Sequence, residues 1–235
     1  MNDDSNTSGH RTRRIASSLR SIEAAAIAGL LHSALSLFAT ALLLRSPDPS
    51  DGDAAMAEWY SDNANQRSLI TAVNLIVGST IAFLWFVAVI RRRVGDRENR
   101  FFGTVFLGSA LLLSGAWLVA GVLIATPAIT ARSFDIAPDA NMVASMQAAG
   151  ITMAAVVATR LEAVFIISTT TVGRLSGVFP RWLLISGYTV GLLLFLVPVP
   201  SNWLTWVFPV WVAIVSLVLL SRRNTAEIST PISGP

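Results

Sequence analysis

The chain contains neither cysteine nor lysine, and it carries little charge for its length of 235 residues. The lack of cysteine excludes disulfide bonds, thiolate metal ligands and cysteine nucleophiles. Only 13% of the residues are charged, about half the share of an ordinary soluble domain. In contrast, 53% are hydrophobic and the mean hydropathy is +0.62. This balance indicates a membrane protein with several spans, and the basic residues call for no nucleic-acid partner.

Six apolar stretches follow one another along the chain, each long enough to cross about 30 Å of hydrocarbon as a helix. Because lipid satisfies no backbone polar group, each stretch has to be helical. We therefore predict an all-α fold, a polytopic membrane bundle of six transmembrane helices within residues 21–222. A flexible cytoplasmic segment, 1–20, precedes it and a cytoplasmic tail, 223–235, follows it. The predicted spans are 23–44, 68–90, 101–126, 146–172, 182–199 and 203–221.

Arginine is distributed unevenly between the connectors, and this distribution predicts an orientation. Four arginines precede the first span, five lie between the second and third, two link the fourth and fifth, and two follow the sixth. The alternate connectors hold only Arg45, Arg67 and Arg132 and are rich in aspartate. Since arginine-rich connectors stay on the cytoplasmic side, we expect both termini to be cytoplasmic in a multi-pass plasma-membrane protein.

Two charged residues, Arg160 and Glu162, lie near the centre of the fourth span, ITMAAVVATRLEAVFIISTTTV (151–172). A charge at mid-bilayer costs about 2.5–3.5 kcal/mol on insertion scales, so such residues usually face a bundle interior or a water-filled cavity. Two positions along a helix correspond to about 200° of rotation, so the two side chains point to nearly opposite faces and do not pair. Two interpretations stay open. The functional one is a proton or ion relay, or a counter-charge for a bound ligand. The structural one is a polar clamp that fixes helix register.

The two faces of the fourth span differ in character. The Glu162 face is made of small, hydroxyl and apolar residues, namely Ala155, Ala158, Thr159, Phe165, Ile166 and Thr169. The Arg160 face is apolar, with Met153, Val156, Val157, Ala163, Val164 and Ile167. Small residues suit close helix packing, so the sequence predicts that Glu162 faces a shared interior site.

Two further polar residues, His32 and Asn74, fall inside the first and second predicted spans. A membrane-embedded histidine can carry a proton or bind a metal. His10 is the only other histidine, so a site of several histidines is excluded, and His32 with Glu162 is a candidate two-ligand combination. Packing through hydrogen bonds is the alternative for both residues. The candidate buried polar residues are Arg160, Glu162, His32 and Asn74.

The chain lacks the motifs of common enzyme classes. Walker, HExxH, GxSxG and GxGxxG patterns in a usable context are absent, so we expect no catalytic residues, no metal and no cofactor. Gly187 and Gly191 form a GxxxG pattern, which is typical of close helix packing. The pattern is consistent with packing inside the bundle, with a homo-oligomer and with a membrane-protein partner, in addition to contact with the lipid bilayer.

Four segments carry a resemblance to a known type of protein: AEWYSDNANQR (57–67), AFLWFVAVIRRR (82–93), FPRWLLISGY (179–188) and WVFPVWVAIVSLVLLSRR (206–223). In this layout the chain resembles uncharacterised actinobacterial membrane proteins with six spans, a family of the domain-of-unknown-function type. The resemblance implies a bacterial inner-membrane protein of six spans. It carries no established activity, so it assigns no functional residue.

Three functional hypotheses follow from these observations. The first is a plasma-membrane module of transport-like or sensory kind, built around a buried polar site. The second is a structural or interaction subunit of a membrane complex that binds no ligand. The third is a membrane enzyme acting on lipids, which the short cytoplasmic connectors without an acid–base cluster disfavour.

Overall fold

The protein is predominantly helical over the residues that its computed structural model describes, 4–47, 51–94, 100–134, 136, 139–196 and 203–228, and no strand occurs among them. The prediction of an all-α fold is therefore confirmed. A short π-helical segment, Met153–Ala158, separates α5 from α6. The α-helices are α1 (Asp4–Leu43), α2 (Asp53–Ser61), α3 (Asn63–Val94), α4 (Arg100–Phe134), α5 (Ala140–Thr152), α6 (Thr159–Leu175), α7 (Arg181–Leu196) and α8 (Leu204–Ile228).

Within the described part of the chain, five helical stretches are long and apolar enough to cross a membrane. They are Glu23–Leu43, Asn63–Arg91, Gly103–Phe134, Ala140–Leu175 and Leu204–Ser221. They coincide with the first, second, third, fourth and sixth predicted spans. The remaining candidate, α7, is apolar but has only 16 residues, which corresponds to about 24 Å of helix. Residues 197–199 of the predicted fifth span lie outside the described part of the chain.

Helices extend into both terminal segments, the predicted flexible segment 1–20 and the predicted tail 223–235. α1 begins at Asp4, within the segment 1–20 that was predicted to be flexible. No proline occurs between Asp4 and the first apolar run, so no residue there lacks the backbone N–H that a helix needs. α8 likewise continues to Ile228, inside the predicted tail, whose last residues, 229–235, lie outside the described ranges.

The helices form a bundle in which α4 lies between two groups of elements. α3 packs against one side of α4, and α5, the π-helical segment and α6 pack against the other. α1 packs along both α3 and α8. Gly29 makes this approach close, because a Cβ there would meet Ser216 of α8 and lie 2.8 Å from the Phe86 ring of α3. Only a residue without a side chain fits at this crossing of three helices.

The Gly187–Gly191 pattern packs inside the bundle. A Cβ added at Gly187 would meet Thr170 of α6. A Cβ at Gly191 would lie 2.6 Å from Ile167 and 3.3 Å from the Ala163 carbonyl oxygen, also on α6. This face of α7 therefore packs against α6 of its own chain, and a homo-oligomer or partner protein through these glycines stays a prediction.

The core consists of two apolar clusters. The larger holds the rings of Phe83, Phe165 and Phe208, whose centroids are 5.0, 5.6 and 5.8 Å apart in pairs. The smaller includes Tyr60 of α2, which lies over one end of the bundle. Trp117 of α4 packs against both clusters, so it stands where they meet.

Candidate functional site

Glu162 is the centre of the candidate site. Its side chain is only 1% exposed, in the first turn of α6. The indole Nε1 of Trp117 donates a hydrogen bond of 3.0 Å to Glu162 Oε1. Glu162 Oε2 is buried and has no hydrogen-bond partner in the described part of the chain. A buried carboxyl group with one oxygen engaged and one free can accept a hydrogen bond or a cation from an incoming species.

The surroundings of Glu162 agree with the face predicted from the sequence. All six residues predicted on that face are buried, namely Ala155, Ala158, Thr159, Phe165, Ile166 and Thr169. Phe165 joins the larger aromatic cluster one helical turn after Glu162. The Glu162 face of α6 therefore points into the bundle, as helical periodicity indicated.

Arg160 lies on the other side of the helix and is half-buried. Its Nη1 donates to the carbonyl oxygens of Val156 at 3.2 Å and Ala155 at 3.4 Å, both in the π-helical segment. The neighbouring Thr159 Oγ1 donates to the Ala154 carbonyl oxygen at 3.3 Å. Departures from α-helical geometry are tolerated in membrane helices where nearby side chains satisfy the affected backbone. Arg160 is therefore a support of the π-helical segment, a role that the sequence alone did not indicate.

His32 is buried in the larger core cluster, 6% exposed. Its ring lies 4.9 Å from that of Phe83 and 5.8 Å from that of Phe208, measured between centroids. His32 Nδ1 lies 2.8 Å from Ser79 Oγ and 3.1 Å from the Ser79 carbonyl oxygen, and Ser79 Oγ donates to the His32 carbonyl oxygen at 3.2 Å. These contacts are mutually satisfied when Nδ1 carries the proton, the tautomer that we assign from this network. Nε2 has no hydrogen-bond partner among the described residues.

A small cavity of about 20 Å³ adjoins His32. Ser79, Phe83, Trp117 and Phe208 are among the residues that line it. This volume is enough for about one water molecule. No hydrogen bond joins His32 to Glu162 in the described ranges, but Trp117 lines the cavity beside His32 and also binds Glu162. Trp117 is thus the link between the two residues that the sequence singled out.

A second, larger cavity of about 90 Å³ is also lined by Trp117 and is called the chamber below. Gln147 of α5 lines it and is only 1% exposed. Gln147 Nε2 donates to Tyr60 Oη at 3.0 Å. Burial raises the pKa of Tyr60 to about 12, against the smaller opposing effect of its hydrogen bond with Gln147. The phenol is therefore neutral at ordinary pH, and α2 places it within hydrogen-bond distance of Gln147.

Asn74 lies outside this internal set. Its side chain is on an exposed face of α3, where Nδ2 donates to the Ile70 carbonyl oxygen at 2.9 Å. Because this bond lies within one helix, the amide needs no partner in the interior. The expectation that Asn74 is buried is therefore corrected.

Two residues of the site, Trp117 and Gln147, were missed by sequence reasoning. Both carried a usable signal, since Trp117 lies at the middle of the third predicted span and Gln147 lies inside the fourth. Tryptophan is common at membrane interfaces, so one placed at mid-span calls for a specific hydrogen-bond acceptor. Among the residues that the structure describes, no group of three or more histidine, aspartate or glutamate side chains could hold a metal ion.

Comparison with known protein-family models, curated proteins and solved structures gave no match. The predicted resemblance to actinobacterial six-span proteins therefore stays a prediction. Fold and site together define the class: an apolar bundle of helices, compatible with an integral membrane protein, with a buried carboxyl group that is hydrogen-bonded to Trp117, a residue that lines two cavities.

Proposed function

We propose that the chain is a six-span plasma-membrane protein with both termini in the cytoplasm. The arginine distribution supports this orientation, because the arginine-rich connectors fall on one side when α7 counts as a span. A helix of about 24 Å is shorter than the hydrocarbon layer, and local thinning of the bilayer would accommodate the difference. Reporter fusions at the C-terminus and after Leu175 test the orientation. A C-terminal reporter that is active outside the cell would contradict it.

We further propose that the protein is a small transport-like module, without enzymatic chemistry, in which Glu162 exchanges a proton. The observation that carries this proposal is the setting of Glu162: buried, held at one oxygen by Trp117, and unpartnered at the other. Ionisable residues inside membrane bundles commonly mark ion pathways and proton relays. The adjoining cavities give room for water beside Trp117.

A second candidate function is a helix clamp in a subunit that binds nothing. The Trp117–Glu162 hydrogen bond supports this alternative, because it ties α4 to α6 through two buried side chains. The two functions differ in what they need from residue 162. A clamp needs only an acceptor for the indole N–H, whereas a relay needs a group that gains and loses a proton.

The substitution Glu162→Gln separates these functions, because an amide oxygen still accepts from Trp117 but the side chain no longer titrates. Purified protein would be reconstituted in vesicles that contain a pH-sensitive dye. A pH gradient would then be imposed, and proton entry would be measured from the change in dye signal. We expect proton entry with the wild-type protein and its loss in Glu162→Gln, with the fold retained by circular dichroism. Glu58→Gln is the matched control, since Glu58 is an exposed carboxylate on α2.

Two results would contradict the transport-like function. Proton entry that is equal in Glu162→Gln and wild type would show that the carboxyl group is not the relay. Absence of proton entry in the wild type, together with a fold that tolerates Glu162→Gln but not Glu162→Leu, would favour the clamp.

A further inference from the structure

The chamber is a compartment built by separate parts of the fold. Its walls come from the C-terminal end of α1, the middle of α4, α5 with the π-helical segment, and the start of α8. Its lining includes Leu43, Trp117, Ile124, Gln147 and Ile151. At about 90 Å³ it is the larger of the two cavities that Trp117 lines. A space with walls from four regions of the chain depends on the whole bundle rather than on one loop.

Gln147 gives the chamber a fixed polar point. Its Nε2 is engaged by Tyr60 Oη, while Oε1 is buried without a hydrogen-bond partner in the described part of the chain. Tyr60 is itself held, because Gln66 Nε2 donates to its carbonyl oxygen at 2.8 Å. One end of the Gln147 amide is thus fixed, and the other has no hydrogen-bond partner among the described residues. An unsatisfied buried amide is costly, so a species that hydrogen-bonds to it gains that energy on binding.

The rest of the lining restricts the chemistry of an occupant. Among the residues that the structure describes, no aspartate, glutamate, lysine, arginine or histidine lines the chamber, so a charged occupant would find no counter-charge in this lining. Leu43, Ile124 and Ile151 offer apolar surface instead. A cavity of roughly 150 Å³ holds one benzene molecule. By proportion, a space of about 90 Å³ admits roughly three to five non-hydrogen atoms.

We propose that the chamber binds a small neutral solute with a short alkyl group and one amide or hydroxyl group, which hydrogen-bonds to Gln147. The alkyl group lies against the leucine and isoleucine side chains, and Trp117, which binds Glu162, lines the same chamber. The inference rests on the proposed function in one respect, since it names the class of solute that a transport-like module would carry. Binding itself does not require Glu162 to titrate.

Propionamide is a suitable probe, because it has five non-hydrogen atoms and carries both a donor and an acceptor. Its binding to the protein in lipid nanodiscs can be followed by saturation-transfer NMR, with propionate as the charged analogue of equal size. We expect a propionamide signal with the wild-type protein and at least a fivefold weaker signal with Gln147→Leu. Propionate should give no signal.

A filling variant keeps the inference testable if Gln147→Leu does not fold. Ile151→Trp places a larger side chain in the chamber and should abolish the propionamide signal, whereas Ile185→Trp, on an exposed face of α7, should retain it. A signal that is equal in both tryptophan variants would show partition into lipid and would overturn the inference. So would an equal signal from propionate, or no propionamide signal with the wild-type protein, which would mean that the chamber holds water only.

The variant Glu162→Gln distinguishes this failure from failure of the proposed function. If it loses proton entry but still binds propionamide, both proposals stand. If proton entry depends on Glu162 while propionamide never binds, the solute class is wrong and the relay stands. If propionamide binds in the chamber while the wild type shows no proton entry, the transport-like function is wrong and the binding site stands.

Discussion

Replacing Gly187 by alanine is expected to loosen α7 from the bundle. The added Cβ would meet Thr170 Oγ1 and lie 3.1 Å from Thr170 Cγ2. Thr170 cannot turn away freely, because it is fully buried, its β-branched side chain has few rotamers, and its hydroxyl donates to the Ile166 carbonyl oxygen at 2.7 Å. The helices therefore have to separate, and α7 packs mainly against α6.

The magnitude follows from a comparison of two glycines. Overpacking a close contact costs about 1–3 kcal/mol, whereas exchanging glycine for alanine in a helix gains about 0.8–1.0 kcal/mol from backbone propensity. Gly115 of α4 is the matched control, since a Cβ there would meet no atom within 4 Å. The propensity gain is common to both substitutions. The difference in free energy of unfolding between Gly187→Ala and Gly115→Ala should therefore equal the packing cost, about 1–3 kcal/mol.

Reversible unfolding in mixed micelles, with increasing sodium dodecyl sulfate and helix content read by circular dichroism, measures this difference. Thr170→Ala removes the two nearest atoms, Oγ1 and Cγ2, so it should restore most of the stability that Gly187→Ala loses. The double-mutant cycle should then give a coupling energy of about 1 kcal/mol or more. If Gly187→Ala is as stable as Gly115→Ala, or if the two substitutions at the contact are simply additive, the close approach of α7 to α6 at this point is refuted.

Three other substitutions test separate parts of the structure. The pKa of Tyr60 is raised from 10.0 to about 12, so its neutral phenol contributes stability that is present below pH 10 and lost as the pH rises through about 12. The loss corresponds to about 3 kcal/mol. The free energy of unfolding, measured across this pH range, should therefore change less with pH in Tyr60→Phe than in the wild type. Ser79→Ala should lower the free energy of unfolding by about 1 kcal/mol, since His32 Nδ1 keeps its contact with the Ser79 carbonyl oxygen. Asn74→Leu should change stability by less than about 1 kcal/mol and leave proton entry unchanged; a loss of proton entry would place Asn74 in the site.

The fold was largely predictable because apolar runs of membrane length have one regular solution, the helix. The burial of Glu162 was also predictable, because a charge exposed to lipid at mid-bilayer is costly and because the residues on its helix face suit close packing. Asn74 is also a polar residue inside an apolar span, but it lies on an exposed helix face, and its amide donates a hydrogen bond to a carbonyl oxygen of its own helix. A polar residue within a span therefore indicates burial only when its side chain cannot form its hydrogen bonds with the backbone of its own helix.

The role of Arg160 and the chamber could not be predicted from the sequence. Arg160 donates to carbonyl groups that are displaced by the π-helical segment, and the residues of that segment, MAAVVA, have no composition that marks them as other than α-helical. The chamber depends on the approach of α1, α4, α5 and α8, whose relative positions follow from contacts such as that of Gly29 with Ser216. Trp117 and Gln147 could have been noticed, but their partners, Glu162 and Tyr60, were visible only in three dimensions.

The π-helical segment sets the rotational phase between the two halves of the fourth span. It lies between Gln147, which meets the chamber, and Glu162, which meets Trp117. A π turn holds one residue more than an α turn, so if the same residues formed a continuous α-helix, α6 would be rotated against α5 by about 100°. Gln147 would then leave Tyr60 while Glu162 stayed in place. The rotation set by a single helical turn thus decides whether Gln147 and Glu162 both face the interior of the same bundle.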